Sequence, residues 1–290
     1  MRVFLTGGSG YLGRATLRAL VRDGIEVAAL ARGDSSARTL RDLGATPVQG
    51  GLTDLAVLRD AAARADGAIH LASHAGPDTA AIDLAAAQAM QDGLGDRGTY
   101  VHTGGVWVYG NTDGVVDETS PQRPPRLTAW RLENEKRVLA AAADGGRPVL
   151  VMPGLVYGHG GGLADAFLTE PARTTGAVPV IGDGANHWAL VHVDDIAELY
   201  VRALRAAPGS VYAGVSDQNL PLVDIARALA ESIGLPGSVE PIDYAEAERR
   251  MGPIAEAFAL DQQLTGAKAR RELGWTPTRL DALAELATGK

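Results

Sequence analysis

The feature that most constrains this chain is its opening, Met1-Arg2-Val3-Phe4-Leu5-Thr6-Gly7-Gly8-Ser9-Gly10-Tyr11-Leu12-Gly13. Val3, Phe4 and Leu5 predict a short strand that runs straight into glycines at 7, 10 and 13. A helix follows, with Leu12, Ala15, Leu17, Ala19, Leu20 and Val21 on its apolar face and Gly24 at its C-terminal glycine position. Glu26–Ala31 then reads as a second strand, closing a strand–helix–strand unit of roughly 30 residues. In such a unit the first glycine permits the tight turn and the second lets backbone approach a pyrophosphate. The third lets the helix pack on the sheet, and its N-terminal amides and dipole favour the phosphates. The turn therefore points to a dinucleotide, with Gly7, Ser9, Gly10, Tyr11, Leu12 and Gly13 as candidate contacts.

The end of the second strand bears on which dinucleotide. An acidic residue there would bond the ribose hydroxyls of NAD. This chain has Arg32, whose guanidinium suits bidentate contact with a phosphate dianion. NADP(H) is thus expected over NAD(H), although Asp34 leaves a ribose contact open.

Beyond the turn, the first half alternates short apolar strands (2–6, 26–31, 46–49, 67–71, 99–103, 148–152) with helical patterns (11–23, 35–43, 54–64, 78–92, 128–143). That rhythm predicts an α/β fold, a doubly wound parallel Rossmann sheet covered on both faces. After residue 154 the rhythm breaks into Gly-rich loops. Helices are expected at 163–170, 221–234, 244–257 and 262–273, with a strand and helix over 188–206. The expected division is a dinucleotide-binding domain of 1–154 and 188–206, and a smaller C-terminal substrate lobe of 155–187 and 207–290.

Composition narrows the function classes. A net charge of −8 without a basic stripe argues against nucleic acid. The chain has no apolar run of the roughly 20 residues a membrane span needs. A strand starting at residue 2 leaves no room for a signal peptide. The chain has no cysteine, so neither a disulfide nor a thiolate nucleophile is available. Cytoplasmic localisation and a small-molecule substrate are expected. Histidines 70, 74, 102, 159, 187 and 192 lack any familiar metal-ligating spacing, so no metal is expected.

Several segments together resemble the extended short-chain dehydrogenase/reductases, which include nucleotide-sugar epimerases and dehydratases. Thr6–Gly13 matches the TGxxGxxG signature. Ile69-His70-Leu71-Ala72-Ser73 resembles the strand-four motif, and Val106-Trp107-Val108-Tyr109-Gly110 the VYG motif after strand five. Pro153–Gly158 resembles the RPxxvYG segment, with Met152 where arginine is usual. Val191–Ala197 and Ala269–Pro277 match late landmarks. The resemblance implies cofactor contacts from Leu71, Ala72, Ser73 and Pro153. It also implies one from Leu52, where Gly51-Leu52 stands in place of the usual Asp-Leu. Asp54 is then expected to cap the next helix, as Asp194 is for the helix after it.

The resemblance fails where that family does its chemistry, through Ser, Tyr and Lys. The serine position is Gly105. Aligning Glu135 with the glutamate four residues beyond the usual lysine puts Arg131 at the lysine position and Leu127 at the tyrosine. A second register puts Trp130 near the phenol site. Neither residue can exchange a proton at neutral pH, so the usual site is not retained. Replacement candidates are Arg131 as cofactor anchor, Thr103 at the end of strand five, and Tyr157 after strand six. Tyr157 and Tyr109 both belong to motifs that shape the pocket floor, so packing is the leading role for each and catalysis the alternative. His102 reads as a packed core residue and His192 as structural, whereas His159 and His187 sit in loops expected to face the cleft.

Three functions follow from these residues. The first is an NADPH-dependent reductase of a small carbonyl, imine or alkene with a non-standard proton donor. The second is an epimerase or dehydratase that keeps its cofactor. The third is a non-catalytic NADP(H) sensor of the kind found among NmrA-like proteins. The helix at 128–143 is a candidate homodimer surface.

Overall fold

A computed structural model describes residues 1–289. In its first half β1 (Arg2–Thr6), α1 (Tyr11–Arg22), β2 (Glu26–Ala31), α2 (Asp34–Asp42), β3 (Thr46–Gln49), α3 (Leu55–Ala63), β4 (Gly67–His70), α4 (Thr79–Leu94) and β5 (Thr99–Thr103) alternate. A 3-10 turn (Val106–Tyr109), a short β6 (Val115–Val116), α5 (Trp130–Ala140) and β7 (Pro148–Pro153) follow. Next come β8 (Leu155–Tyr157), α6 (Glu170–Thr175), β9 (Val178–Ile181), β10 (His187–His192), α7 (Val193–Ala203) and β11 (Ser210–Gly214). The chain closes through β12 (Gln218–Pro221), α8 (Leu222–Ser232), β13 (Val239–Ile242), α9 (Tyr244–Met251), α10 (Ile254–Phe258), β14 (Gln263–Leu264), α11 (Ala267–Leu273) and α12 (Ala282–Thr288).

Seven strands form one sheet in the order β11-β7-β5-β4-β1-β2-β3, with every pairing parallel. The chain reverses direction of winding between β1 and β4, which opens a crevice at the carboxyl ends of the strands. The alternation along β1 shows why both faces are covered. Val3 and Leu5 pack with Leu17, Leu20, Leu199 and Tyr200 from α1 and α7. Phe4 turns the other way and packs with Leu58, Met90 and Val138 from α3, α4 and α5. All three β1 side chains are fully buried. Among the described residues no helix is long and apolar enough to cross a membrane.

A second core gathers Leu155, Tyr157, Trp188, Leu190, Leu222, Ile225 and Phe258 above the crevice. Two segments fall otherwise than the sequence boundaries had them. β10 does not enter the large sheet; it pairs with β8 and β12 in a separate three-stranded one. β11 instead joins the large sheet at its edge, beside β7. Only α7 of the 188–206 segment returns to the main layer, against α1. Residues 263–264, expected in a helix, pair with β6 instead. The two expected aspartate caps also differ. The Asp54 carboxylate accepts from the Gly51 amide at 2.7 Å and makes no capping bond to its helix. The imidazole of His192, not Asp194, caps α7, accepting from the Asp194 amide at 3.1 Å.

Candidate cofactor and substrate cleft

The glycine turn between β1 and α1 is built from close approaches that side chains would forbid. Gly7 has φ +74°, and a Cβ there would lie 2.7 Å from the Ala72 amide nitrogen. A Cβ on Gly13 would lie 1.9 Å from the Gly7 carbonyl oxygen. The Gly10 amide closes the turn onto that carbonyl at 2.9 Å. No acidic side chain lies in the first turn of α1 to compete for its amides. An anion is the natural partner for such an end.

The remaining cofactor candidates line up along the same edge. Arg32 lies just beyond β2, exposed and with no ion-pair partner among the described residues. Leu52 follows β3, Leu71–Ser73 follow β4, and Pro153 ends β7. The hydroxyl of Ser36 is already used locally, donating to the Gly33 carbonyl at 2.8 Å.

A cleft of about 720 Å³ opens at this edge, lined by Tyr11, Leu12, Ser73, Arg131 and Pro153 among the sequence candidates. Its other walls are mainly apolar: Trp107, Leu127, Trp130, Leu155, Leu163 and Ile254. Gly105 forms part of the floor, and Leu127 faces the same space. Gly105 and Leu127, the residues aligned in the sequence with the serine and tyrosine of the short-chain reductase pattern, thus line one space.

Arg131 is held by two contacts. Its Nη1 donates to the Thr103 carbonyl at 3.1 Å, and its guanidinium lies 4.6 Å from the centre of the Trp130 ring. Trp130 therefore serves as wall and stacking partner. Thr103 itself needs correcting. Its hydroxyl accepts from Tyr200 at 2.9 Å and it is not among the lining residues; only its carbonyl contributes, by fixing Arg131.

Tyr157 is also corrected. It is 1% exposed, its hydroxyl donates to the Arg279 carbonyl at 2.9 Å, and it accepts from Gln218 at 3.2 Å. Burial pushes its phenol up to about 12. The three-residue β8 points it into the second core rather than the cleft. Tyr109 is buried against the Met152 sulfur, with its pKa raised by burial. His159 pairs with Asp194 at 3.0 Å and His187 with Asp261 at 2.9 Å; neither lines the cleft.

Two groups were missed. His74 lies exposed on the loop after β4 and lines the cleft, the one imidazole to do so among the described residues. The strand-four motif ends one residue before it, and that adjacency was the available signal. Glu135, used in the sequence only as an alignment anchor, lies buried behind the floor. A Cβ on Gly104 would come within 2.7 Å of its Oε1, and that oxygen has no partner. Burial pushes its carboxyl up to about 7, with Arg131 opposing.

This geometry defines a Rossmann-type nucleotide-binding protein with its ligand cleft at the switch point of the sheet. A family model, the NAD dependent epimerase/dehydratase family, matches residues 3–213, and the chain belongs to that family. The family description and the NAD or NADPH held by solved neighbours support a nicotinamide cofactor, and several relatives are named as reductases. One relative is the 4-hydroxy-2-methyl-3-oxo-4-farnesyl-3,4-dihydroquinoline-1-oxide ketoreductase of Stigmatella aurantiaca. It is 30% identical over 311 residues, covering 95% of this chain and 92% of that one. Among solved structures, a double mutant of the dTDP-glucose 4,6-dehydratase of Streptomyces venezuelae with NAD bound superposes with a TM-score of 0.81. It is 24% identical and covers 100% of this chain and 95% of that one. A human epimerase family protein with NADPH superposes with a TM-score of 0.79, at 21% identity over 99% and 98% of the two chains.

Proposed function

We propose that this chain is an NADPH-dependent reductase of a small, apolar carbonyl, imine or alkene compound, working without the Ser-Tyr-Lys set. The observation that carries this reading is the cleft itself. Gly105 and Leu127 face an apolar space in which the guanidinium of Arg131 is tethered by the Thr103 carbonyl. Among the described residues no lysine lines it, so a nucleotide-sugar diphosphate would meet the tethered Arg131 as its one counter-charge there, whereas an uncharged ring or chain would bury against Trp107, Trp130 and Leu163. The ketoreductase relative supports the same class.

In this reading residues 1–154 with α7 hold the cofactor, and the later segments select substrate. Gly7, Ser9, Gly10, Tyr11, Leu12 and Gly13 receive the pyrophosphate, and Arg32 receives the extra phosphate that distinguishes NADP(H). Leu52, Leu71, Ala72, Ser73 and Pro153 flank the rest. Arg131 takes the lysine's place at the nicotinamide ribose. A bound reduced nicotinamide supplies hydride. His74, the imidazole lining the cleft, is placed as the proton donor. The apolar walls exclude water and orient the acceptor.

The test is NADPH consumption against a panel of uncharged cyclic and acyclic ketones, imines and enones, with UDP- and dTDP-sugars as the contrasting set. Turnover of the first set alone supports the reading; turnover of nucleotide-sugars alone refutes it. The absent Ser-Tyr-Lys set favours a second reading, a sensor that binds NADP and NADPH with different affinities. No turnover across the whole panel, with distinct affinities for the two, would select it. Cofactor carried through purification with no net redox change would instead select an epimerase or dehydratase.

A further inference from the structure

Behind the cleft floor, on the sheet face covered by α4 and α5, lies a cluster that the proposed reaction does not use. His70 on β4 and His102 on β5 are register partners, so their side chains leave the sheet on one face. Both are 1% exposed, and Asp83 from α4, 8% exposed, lies over them. His70 Nε2 is 3.5 Å from Asp83 Oδ1, and His102 Nε2 is 3.7 Å from Asp83 Oδ2. Neither nitrogen has a hydrogen-bond partner. One donor atom from each residue falls within 4.8 Å of the others.

The rest of the cluster fixes what these nitrogens present. Thr6 Oγ1 accepts from the Ala72 amide and lies 2.6 Å from His70 Nδ1, so its second lone pair can take that nitrogen's hydrogen and leave Nε2 unprotonated. The Tyr100 hydroxyl is bonded to His102 Nδ1 at 2.9 Å. Both outer nitrogens are thus occupied, and both Nε2 atoms point at the carboxylate. Asn134 donates to Asp83 Oδ2 at 3.0 Å and to the Ala80 carbonyl at 2.8 Å, which locks the carboxylate in place. Separations of 3.5 and 3.7 Å, one to each oxygen of Asp83, exceed hydrogen-bond range. They lie close to the roughly 3.3–3.6 Å expected between two donors on one tetrahedral ion at bonds of about 2.0–2.2 Å. Imidazoles bonded through the far nitrogen and a carboxylate oriented by an amide are the outer contacts that metal ligands ordinarily have.

We propose that His70, Asp83 and His102 form a buried site for one divalent transition-metal ion, of which zinc best suits two imidazoles and a carboxylate. The ion sits behind β4 and β5, apart from the cofactor cleft, and ties α4 to the sheet. Its place is structural, so it does not depend on the reaction proposed above. Sequence spacing could not reveal it, because the ligands come from three separate elements and lie 13 and 19 residues apart.

The test is elemental analysis of the untagged chain purified without chelator from zinc-supplemented medium. His102→Val and His159→Asn are carried in parallel. The second addresses the group of exposed His159, buried His192 and half-buried Asp194, which also places donors close together. The expected result is about one zinc per chain in the wild type and in His159→Asn, and at least a tenfold loss in His102→Val. Zinc that survives His102→Val, zinc lost only in His159→Asn, or wild type that takes up none on titration would overturn the site. If His102→Val does not fold, cobalt titration of the wild type decides. Ligand-field absorption of a low-coordinate nitrogen–oxygen site that zinc displaces supports it, and its absence overturns it.

Discussion

Replacing Gly13 with alanine is the sharpest test of the nucleotide turn. The new Cβ would fall 1.9 Å from the Gly7 carbonyl oxygen, 2.7 Å from its carbon and 2.8 Å from Gly8 Cα. Real Cβ atoms essentially never come within 3.0 Å of such atoms, so turn and helix must part by about 1.1 Å. The obstacle is backbone on both sides, and no side chain can swing away. Overpacking of this kind costs about 1–3 kcal/mol, which a domain stable by roughly 5–15 kcal/mol survives. Binding suffers more. Amide bonds to a charged phosphate contribute about 1.5–3 kcal/mol each. Losing two of them weakens affinity by about 3–6 kcal/mol, a factor of roughly 10² to 10⁴. The assay is NADPH titration by fluorescence or calorimetry, alongside a circular-dichroism melt. A folded variant whose Kd stays within about threefold of wild type would refute the assignment of this turn to the pyrophosphate.

Arg32→Ala is expected to weaken NADPH binding at least about tenfold and NADH binding little, measured by calorimetry with both cofactors. Equal losses would show that Arg32 does not read the extra phosphate. With a substrate in hand, His74→Gln is expected to lower kcat about 10²-fold or more with NADPH affinity unchanged; an unaltered kcat removes His74 as proton donor. Glu135 has its carboxyl pushed up to about 7, so the unfolded chain releases this proton at lower pH than the folded one. Stability therefore falls as pH rises from the ordinary glutamate range to about 7. With chelator present, urea melts should show wild type losing about 3 kcal/mol relative to Glu135→Gln across that window, and a pH-independent difference contradicts it.

What could be read from the sequence was what is local. The strand, glycine turn and helix at the start depend on residues within one short unit, so spacing alone located them. The alternation of the first half gave the parallel sheet for the same reason. That Arg131 lines the cleft could be anticipated because a helix preserves register from Glu135, four residues on. The catalytic alternative for Tyr157 fell because its direction depends on which face of β8 turns inward, and its partners Gln218 and Arg279 lie 61 and 122 residues away. Thr103 was misread in the same way, since Tyr200 reaches it from across the sheet layer. The 188–206 segment was misjudged because an apolar strand is equally at home in either sheet. Glu135 looked like an ordinary helical glutamate, and only the missing side chain at Gly104 shows how closely it sits behind the floor.

Tyr11 opens the first helix, yet its hydroxyl donates 2.7 Å across to the carbonyl of Gly158, and a Cβ on Gly161 would meet its ring at 2.7 Å. The aromatic ring is a dowel between the nucleotide turn and a loop almost 150 positions further along. Loop grafting, the ordinary route to new specificity in this fold, is thereby constrained. A transplanted 158–162 segment with any residue larger than glycine at 161 would push back on the helix that opens the cofactor turn. A designer should therefore exchange the loop and position 11 as one cassette.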